Sequence, residues 1–287
     1  MTVIVPVWNG AATIRSCLES LDRQSFPRDR YEIIVVDNGS SDGTTEIVKT
    51  FAGIRLLVEP AAGSYRARNL GLAFARGKVI AFTDADCVAD LHWLEKGYRN
   101  VLRHDGMGVL AGKVELFEVP DRESSRGVVV YEKIFAFQQA ASAKAGRSVT
   151  ANWMSPRHVF EKVGTFDGDL KSGGDFLLSA KIARAGFLVR YAPEVIVRHP
   201  TRGSFPELAQ KHRRVLGGNC IRRGGRFTPL AMIGSTIVGA LKKSKRVITQ
   251  AGYTWTDRMQ VLVVIWRMTA SGVVELGRLQ LGAKPKR

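Results

Sequence analysis

The sequence predicts an α/β fold: a mostly parallel sheet with helices on both faces, followed by a basic helical appendage. Three observations predict it. Short apolar runs alternate with amphipathic stretches over the first 85 residues, those runs are apolar throughout, and the charge changes abruptly near residue 198. The 287 residues carry a net charge of +17, but residues 1–197 hold 25 Lys and Arg against 23 Asp and Glu, whereas residues 198–287 hold 18 against 3. A near-neutral body therefore precedes a segment of net +15. With 45% hydrophobic and 24% charged residues, collagen-like, disordered and disulfide-stapled architectures are excluded.

The elements follow in order. The runs TVIVPV (2–7), YEIIVV (31–36), IRLLV (54–58) and KVIAFT (78–83) read as strands buried on both faces. Between them, Ile14, Leu18 and Leu21 mark one helix face, Ile47, Val48 and Phe51 a second, and Leu70, Ala73 and Phe74 a third. Strands separated by helices form a parallel sheet, which binds ligands at the carboxyl ends of its strands. The polar clusters Trp8-Asn9-Gly10, Asp37 to Asp42 and Asp84-Ala85-Asp86 all fall on that edge. Ser41 or Asp42 reads as the N-cap of the next helix. For Asp37, which directly follows a buried strand, turn formation and ligand binding both stand. Cys17, Cys87 and Cys220 are too few and too scattered for a disulfide framework, and no basic leader precedes the apolar run at Thr2, which predicts a reducing, cytoplasmic setting.

Two Asp-x-Asp pairs occur. Asp167-Gly168-Asp169 lies in a polar, Gly-containing stretch and reads as a solvated turn. Asp84 and Asp86 end a strand, where clustered carboxylates repel unless a cation such as Mg²⁺ or Mn²⁺ neutralises them. The chain has no Gly-x-x-x-x-Gly-Lys-Ser/Thr loop and no Gly-x-Gly-x-x-Gly after its first strand, so ATPase and dinucleotide oxidoreductase readings lose their main support. Ser155-Pro156 reads as the N-cap and first residue of a short helix. Asp175, between Gly173-Gly174 and Phe176-Leu177-Leu178, is read either as a helix-capping carboxylate or as a group that does chemistry.

Taken together, TVIVPVWN, VVDNGSSDGT (35–44), ARNLGL (67–72), FTDAD (82–86), TANW (150–153), VGTFD (163–167), GGDFLL (173–178) and VRH (197–199) resemble the family 2 glycosyltransferases of the GT-A fold, in that family's order and over roughly residues 2–200. The resemblance implies transfer of a sugar from a nucleotide-sugar, UDP- or GDP-linked, to an acceptor hydroxyl with inversion at the anomeric carbon. It implies Pro6, Val7, Asn9 and Asp37 at the nucleotide, and Arg68 and Asn69 near the nucleotide or its phosphates. Asp84 also touches the donor, Asn152 lies near the donor sugar, Asp84, Asp86 and His199 hold Mn²⁺ or Mg²⁺, and Asp175 is the catalytic base. His199 as a strand-end histidine, and Arg66 and Arg68 as solvated helix positions, are the plainer readings of those residues. The family often carries Glu-Asp where this chain has Gly174-Asp175, so acceptor contacts do not transfer to Gly174. The chemistry needs such groups: a diphosphate leaves only when its charge is neutralised, and the acceptor hydroxyl needs a nearby carboxylate.

Residues 1–200 then form the catalytic domain, with a nucleotide-binding half (1–103) and an acceptor-side half (104–200), and 201–287 a basic helical region. In that region Phe205, Leu208, Ala209, His212, Val215 and Leu216 share a helix face, and Arg222, Arg223 and Arg226 precede fifteen uncharged residues, Phe227–Leu241, followed by Lys242, Lys243, Lys245 and Arg246. Fifteen is short of the about 20 that span a bilayer. From Met259 to Leu279, Gln260, Arg267, Ser271, Glu275 and Arg278 form one polar stripe, and Met259, Leu262, Val263, Trp266, Ala270 and Val273 need cover. Basic clusters beside apolar helices predict an anionic membrane surface as the partner, at the inner face of the cell membrane, with packing on the catalytic domain or a second copy as the alternative. Nucleic acid is disfavoured, because the clusters lack interleaved stacking aromatics. A lipid-linked glycan or polysaccharide of the cell envelope is the expected acceptor. The rivals are a sugar-phosphate nucleotidyltransferase, which would carry a Gly-rich basic loop where this chain has VWNGAAT, and a non-catalytic glycan- or membrane-binding protein.

Overall fold

The computed structural model describes residues 1–222 and 229–281; Arg223, Arg226 and Phe227 lie outside the described residues. In chain order the strands are β1 (Thr2–Val7), β2 (Glu32–Asp37), β3 (Ile54–Val58), β4 (Val79–Phe82), β5 (Val88–Ala89), β6 (Met107–Phe117), β7 (Trp153–Pro156) and β8 (Leu188–Pro200). The helices are α1 (Ile14–Asp22), α2 (Thr44–Lys49), α3 (Ser64–Phe74), α4 (Trp93–Arg103), α5 (Arg126–Phe135), α6 (Gln139–Lys144), α7 (Arg157–Val163), α8 (Gly174–Arg184), α9 (Phe205–Arg222), α10 (Pro229–Thr249) and α11 (Trp255–Gln280). They form two compact units.

The first unit comprises Met1–Leu116, Phe137–Asp169 and Gly174–His199. Its strands follow the order β3-β2-β1-β4-β7-β6-β8-β5 in one sheet. The four runs read from sequence pair in parallel, with Val7 opposite Asp37 and Ile4 opposite Phe82, so their carboxyl ends share an edge. Beyond β4 the sheet is mixed: β7 is antiparallel to β4 and β6, and β5 to β8. Side chains alternate across a strand. Val3 and Val5 pack with Ile14, Leu18 and Leu21 of α1, while Ile4 faces α3, where a Cβ on Gly71 would come within 2.5 Å of Ile4 Cγ2. Both faces are therefore covered, and Ile4, Ile33 and Ile34 are fully buried, each worth about 1.5–3 kcal/mol of apolar burial.

The close approach at Gly71 corrects one expected helix face. Tyr65, Ala67, Arg68, Gly71 and Leu72 are the buried residues of α3, whereas Phe74 is 41% exposed and lies under the Arg55 guanidinium. Two expected caps also differ. Gly43, at φ +83°, precedes α2, and Asp42 instead accepts the Thr44 N–H at 3.2 Å. Ser155 is buried inside β7, accepting from Trp153 Nε1 and donating to the Gly108 carbonyl, and α7 starts at Arg157.

The second unit comprises Phe117–Ala136, Leu170–Gly173 and Pro200–Arg287, so α5 packs with the C-terminal helices. Val128, Tyr131 and Ile134 of α5, Leu208 of α9, Val247 of α10 and Val261, Ile265 and Met268 of α11 form its core. Thr254 and Asp257 close a capping box at the start of α11, and Asp257 also accepts from Arg126 at 2.8 Å. The three acids of residues 198–287, Glu207, Asp257 and Glu275, pair with Arg122, Arg126 and Arg278. Glu275 corrects the polar stripe expected on α11, because the bidentate Arg278 pair allows it to be 97% buried. Beside exposed Gln260 and Arg267, α11 exposes an apolar line: Trp255, Met259, Val263, Trp266 and Val274 are 43–73% exposed. Trp255–Gln280 is also long and apolar enough to cross a membrane.

Candidate active site

The loops after β1 and β2 are tied together by the polar residues that the sequence singles out. Asn9, at φ +49°, donates its N–H to Ser40 Oγ at 2.8 Å, and its Oδ1 accepts from Ser41 N–H at 2.9 Å. Asp42 Oδ2 accepts from Ala11 N–H at 3.0 Å. Asp37, buried at the end of β2, accepts the Gly39 and Ser40 amides at 3.1 Å, so its carboxylate shapes the turn. Pro6 and Val7 are buried within β1 beneath these loops.

Next to this edge, α3 turns Arg68 inward. Its guanidinium is 5% exposed and pairs through Nη2 with Asp84 Oδ1, while Nη1 donates to the Ser64 carbonyl at 3.2 Å. Its Nε is buried with no hydrogen-bond partner, an unmet donor beside a carboxylate. Two residues on, Asp86 Oδ2 lies 3.3 Å from Nε2 of the buried His199. The antiparallel pairing of Val88 with Arg198 brings these two together from distant parts of the chain. Cys87 completes a cluster whose ligand atoms all lie within 4.8 Å of one another, and burial, then the charges of Asp86 and Asp84, pushes its thiol well up and keeps it protonated.

Asp175 begins α8 and accepts from Phe176 N–H at 2.9 Å and from the Tyr65 hydroxyl at 3.2 Å, both at Oδ1. Burial raises its pKa above the usual carboxylate value against the opposing pull of the Phe176 amide, Arg68 and Tyr65; the charge of Asp84 raises it further. Arg68, Asp84 and Asp175 thus act on one another electrostatically. Tyr65 and Cys87 carried no sequence motif. Tyr65 shares a buried helix face with Arg68, three residues on, which is a spacing cue, and Cys87 adjoins Asp86.

Two residues expected near the donor also brace the backbone. Asn152 is fully buried, with Oδ1 accepting from Trp93 Nε1 and Nδ2 donating to the Lys113 and Val195 carbonyls at 2.8 and 2.9 Å, so its amide ties strands together inside the unit. Asn69 binds both backbone groups of Phe166, at 2.8 and 3.1 Å, and holds that loop against α3. The Asp167–Asp169 segment is the turn expected, Asp167 accepting the Asp169 N–H at 3.0 Å and Asp169 pairing with Arg66. A cavity of about 450 Å³ lined by Glu59, Arg66, Asn69, Leu70, Gly168 and Asp169 shares no residue with the Arg68–Asp84–Asp175 group.

This arrangement coincides with known sequence. The profile described as Glycosyl transferase family 2 matches residues 2–164. The chain belongs to glycosyltransferase family 2. As a family 2 glycosyltransferase it uses nucleotide-sugar donors. It is 34% identical to the glycosyltransferase AglE of Haloferax volcanii over 93% of this chain and 91% of that protein. It is 28% identical to the probable glycosyltransferase YdaM of Bacillus subtilis, over 68% of this chain and 49% of that one. Among solved structures, the mannosyltransferase PcManGT from Pyrobaculum calidifontis, in complex with GDP-Man and Mn²⁺, superposes over 99% of this chain and 75% of its own, with a TM-score of 0.54 at 21% identity. S. aureus TarS 1–349, in complex with UDP-GlcNAc, covers 98% and 91% with a TM-score of 0.54 at 16% identity, and this chain spans 38% of a longer TarS chain. These likenesses establish the GT-A architecture.

Proposed function

We propose that this chain transfers a sugar from a UDP- or GDP-sugar to a hydroxyl of a lipid-linked glycan or polysaccharide, with inversion at the anomeric carbon. The observation that carries the proposal is the convergence of Arg68, Asp84 and Asp175 in the first unit, with Asp86 and His199 placed by the adjoining strands. Asp37, Asn9, Pro6 and Val7 contribute the nucleotide edge. The unmet Nε–H of Arg68 suits a phosphate oxygen. Asp175 takes the proton of the acceptor hydroxyl as its oxygen attacks, and attack opposite the leaving group inverts the centre without a protein nucleophile.

The Asp86 carboxylate, with Nε2 of His199 3.3 Å away, offers the oxygen donor that Mn²⁺ or Mg²⁺ takes, with the imidazole as a nitrogen donor beside it. Asp86 and His199 would hold the ion, with Asp84 adjoining, and a bound ion would neutralise charge developing on the diphosphate. Supporting context comes from PcManGT, whose complex holds GDP-Man and Mn²⁺, and from a 22% identical dolichyl phosphate-modifying glucuronosyltransferase of Methanococcus voltae. The catalytic domain is assigned to about residues 1–200, less Phe117–Ala136 and Leu170–Gly173, which belong to the second unit.

The second unit is assigned to an anionic membrane surface on the cytoplasmic side. Its exposed line Trp255, Met259, Val263, Trp266 and Val274, with Ile237, Val238, Leu241 and Ile248 exposed on α10, adjoins exposed Lys242, Lys245 and Arg246. Basic side chains next to apolar ones match anionic headgroups over acyl chains.

A panel of UDP- and GDP-sugars tests the transferase reading, by hydrolysis and by calorimetric binding with Mn²⁺, Mg²⁺ or EDTA. One nucleotide-sugar should bind and turn over, with turnover lost in EDTA and affinity weakened by Asp86→Ala. Binding of none, or turnover indifferent to EDTA, would contradict it.

A further inference from the structure

Tyr65 occupies a position that no motif marks, beside Asp175. It is 5% exposed near the start of α3, and its ring stacks on Phe166 at 5.5 Å with an interplanar angle of 18°. Its hydroxyl makes two bonds, accepting the Gly174 N–H at 3.0 Å and meeting Asp175 Oδ1 at 3.2 Å. A phenol has one proton. Because the Gly174 amide can only donate, that proton points at Asp175. The direction of the bond is thereby fixed, and burial, then the charge of Asp175, holds the phenol in its protonated form by raising its pKa.

Oδ1 of Asp175 then has two donors, Tyr65 and the Phe176 amide, and among the described residues no hydrogen bond engages Oδ2. The carboxylate is thereby oriented through Oδ1, with Oδ2 open to a further partner. Gly174 makes this possible: a Cβ there would lie 2.8 Å from Tyr65 Cε2 and 3.0 Å from Cδ2 and Cζ, so any side chain pushes the ring from its seat.

We propose that Tyr65 is a positioning residue for the transfer: seated on Gly174, it donates to Asp175 Oδ1 and leaves Oδ2 to take the acceptor proton. The inference rests on Asp175 being the base. In the step, the acceptor oxygen bonds to the anomeric carbon, its proton passes to Oδ2, and the bond from that carbon to the diphosphate oxygen breaks with its electron pair on the diphosphate. The charged groups that act on Asp175 from neighbouring elements are Arg68 of α3 and Asp84 after β4.

The test compares Tyr65→Phe, Gly174→Ala, their double variant and Asp175→Asn in the full chain. Tyr65→Phe keeps the ring stack and removes only the hydroxyl. It should lower kcat about tenfold, as expected for a hydrogen bond to a charged group, with the KM and Kd for the nucleotide-sugar within about twofold of wild type. Gly174→Ala should cost at least as much, and the double variant no more than the larger single loss, since both act through one contact. A Tyr65→Phe kcat within about twofold of wild type, or losses that multiply in the double variant, overturns the proposal while an inactive Asp175→Asn leaves the base in place. Normal turnover by Asp175→Asn overturns the base itself, and the Tyr65 proposal with it.

Discussion

In the first unit, polar side chains gather at one edge of a sheet; in the second, uncovered apolar side chains run along one line of a helix. The two units also use charge differently. Arg68 and Asp84 form a pair in which the arginine side chain is 95% buried and its Nε–H has no partner. Glu275 and Arg278 form a bidentate pair with the carboxylate 97% buried and the arginine partly exposed.

Of the substitutions that break this contrast, the one in the first pair has the largest expected effect. Arg68→Ala leaves Asp84 without its cation and removes the donor proposed for phosphate, so kcat/KM should fall about 10²–10³-fold, read from steady-state transfer with the nucleotide-sugar. A loss confined to thermal stability, with kcat/KM unchanged, would move Arg68 into the same class as Arg278.

The second unit should respond to acid. Burial, then the charge of Lys243, holds the His212 imidazole at about 4 against an ordinary 6.5. Its stabilising contribution is therefore complete above the unfolded value, is lost as pH falls through this window, and is gone below about 4, with an upper bound of about 3 kcal/mol. Asp257, held at about 2 by hydrogen bonds from Arg126 and Thr254, extends the loss to still lower pH. Urea unfolding at pH 7 and pH 4.5 should show the weakening, and His212→Leu should flatten it.

The smallest expected effect concerns the exposed line of α11. Trp266→Glu should weaken binding to anionic vesicles about tenfold in flotation, with transfer to a water-soluble acceptor unchanged. Wild-type protein that floats with neither anionic nor neutral vesicles, and sediments as a dimer, would assign that line to a second copy of the chain.

The same contrast explains what could be read without coordinates. Strands β1 to β4 were legible because burial on both faces leaves an uninterrupted apolar run, and the parallel register then fixes where Asp37, Asp84 and Asp86 stand. The face of α3 was not, because a glycine, Gly71, makes the closest approach to the sheet and an arginine, Arg68, is buried beside it; apolar periodicity registers neither. Asn152 and Asn69, expected near the donor, also brace the backbone, a use the motif does not reveal because an amide side chain serves either equally well. On α11 Glu275 is buried while Gln260 and Arg267 of the same polar stripe are exposed, a split that counting polar residues does not reveal because it depends on the Arg278 pair. Tyr65 escaped because its role depends on Gly174, 109 residues away.

The central claim is that Asp175 accepts the acceptor proton in a donor site that forms without it. Calorimetry and steady-state transfer on Asp175→Asn test it together. The account predicts donor affinity within about twofold of wild type and turnover reduced about 10²–10⁴-fold. Wild-type turnover, or donor affinity lost along with it, would contradict the account.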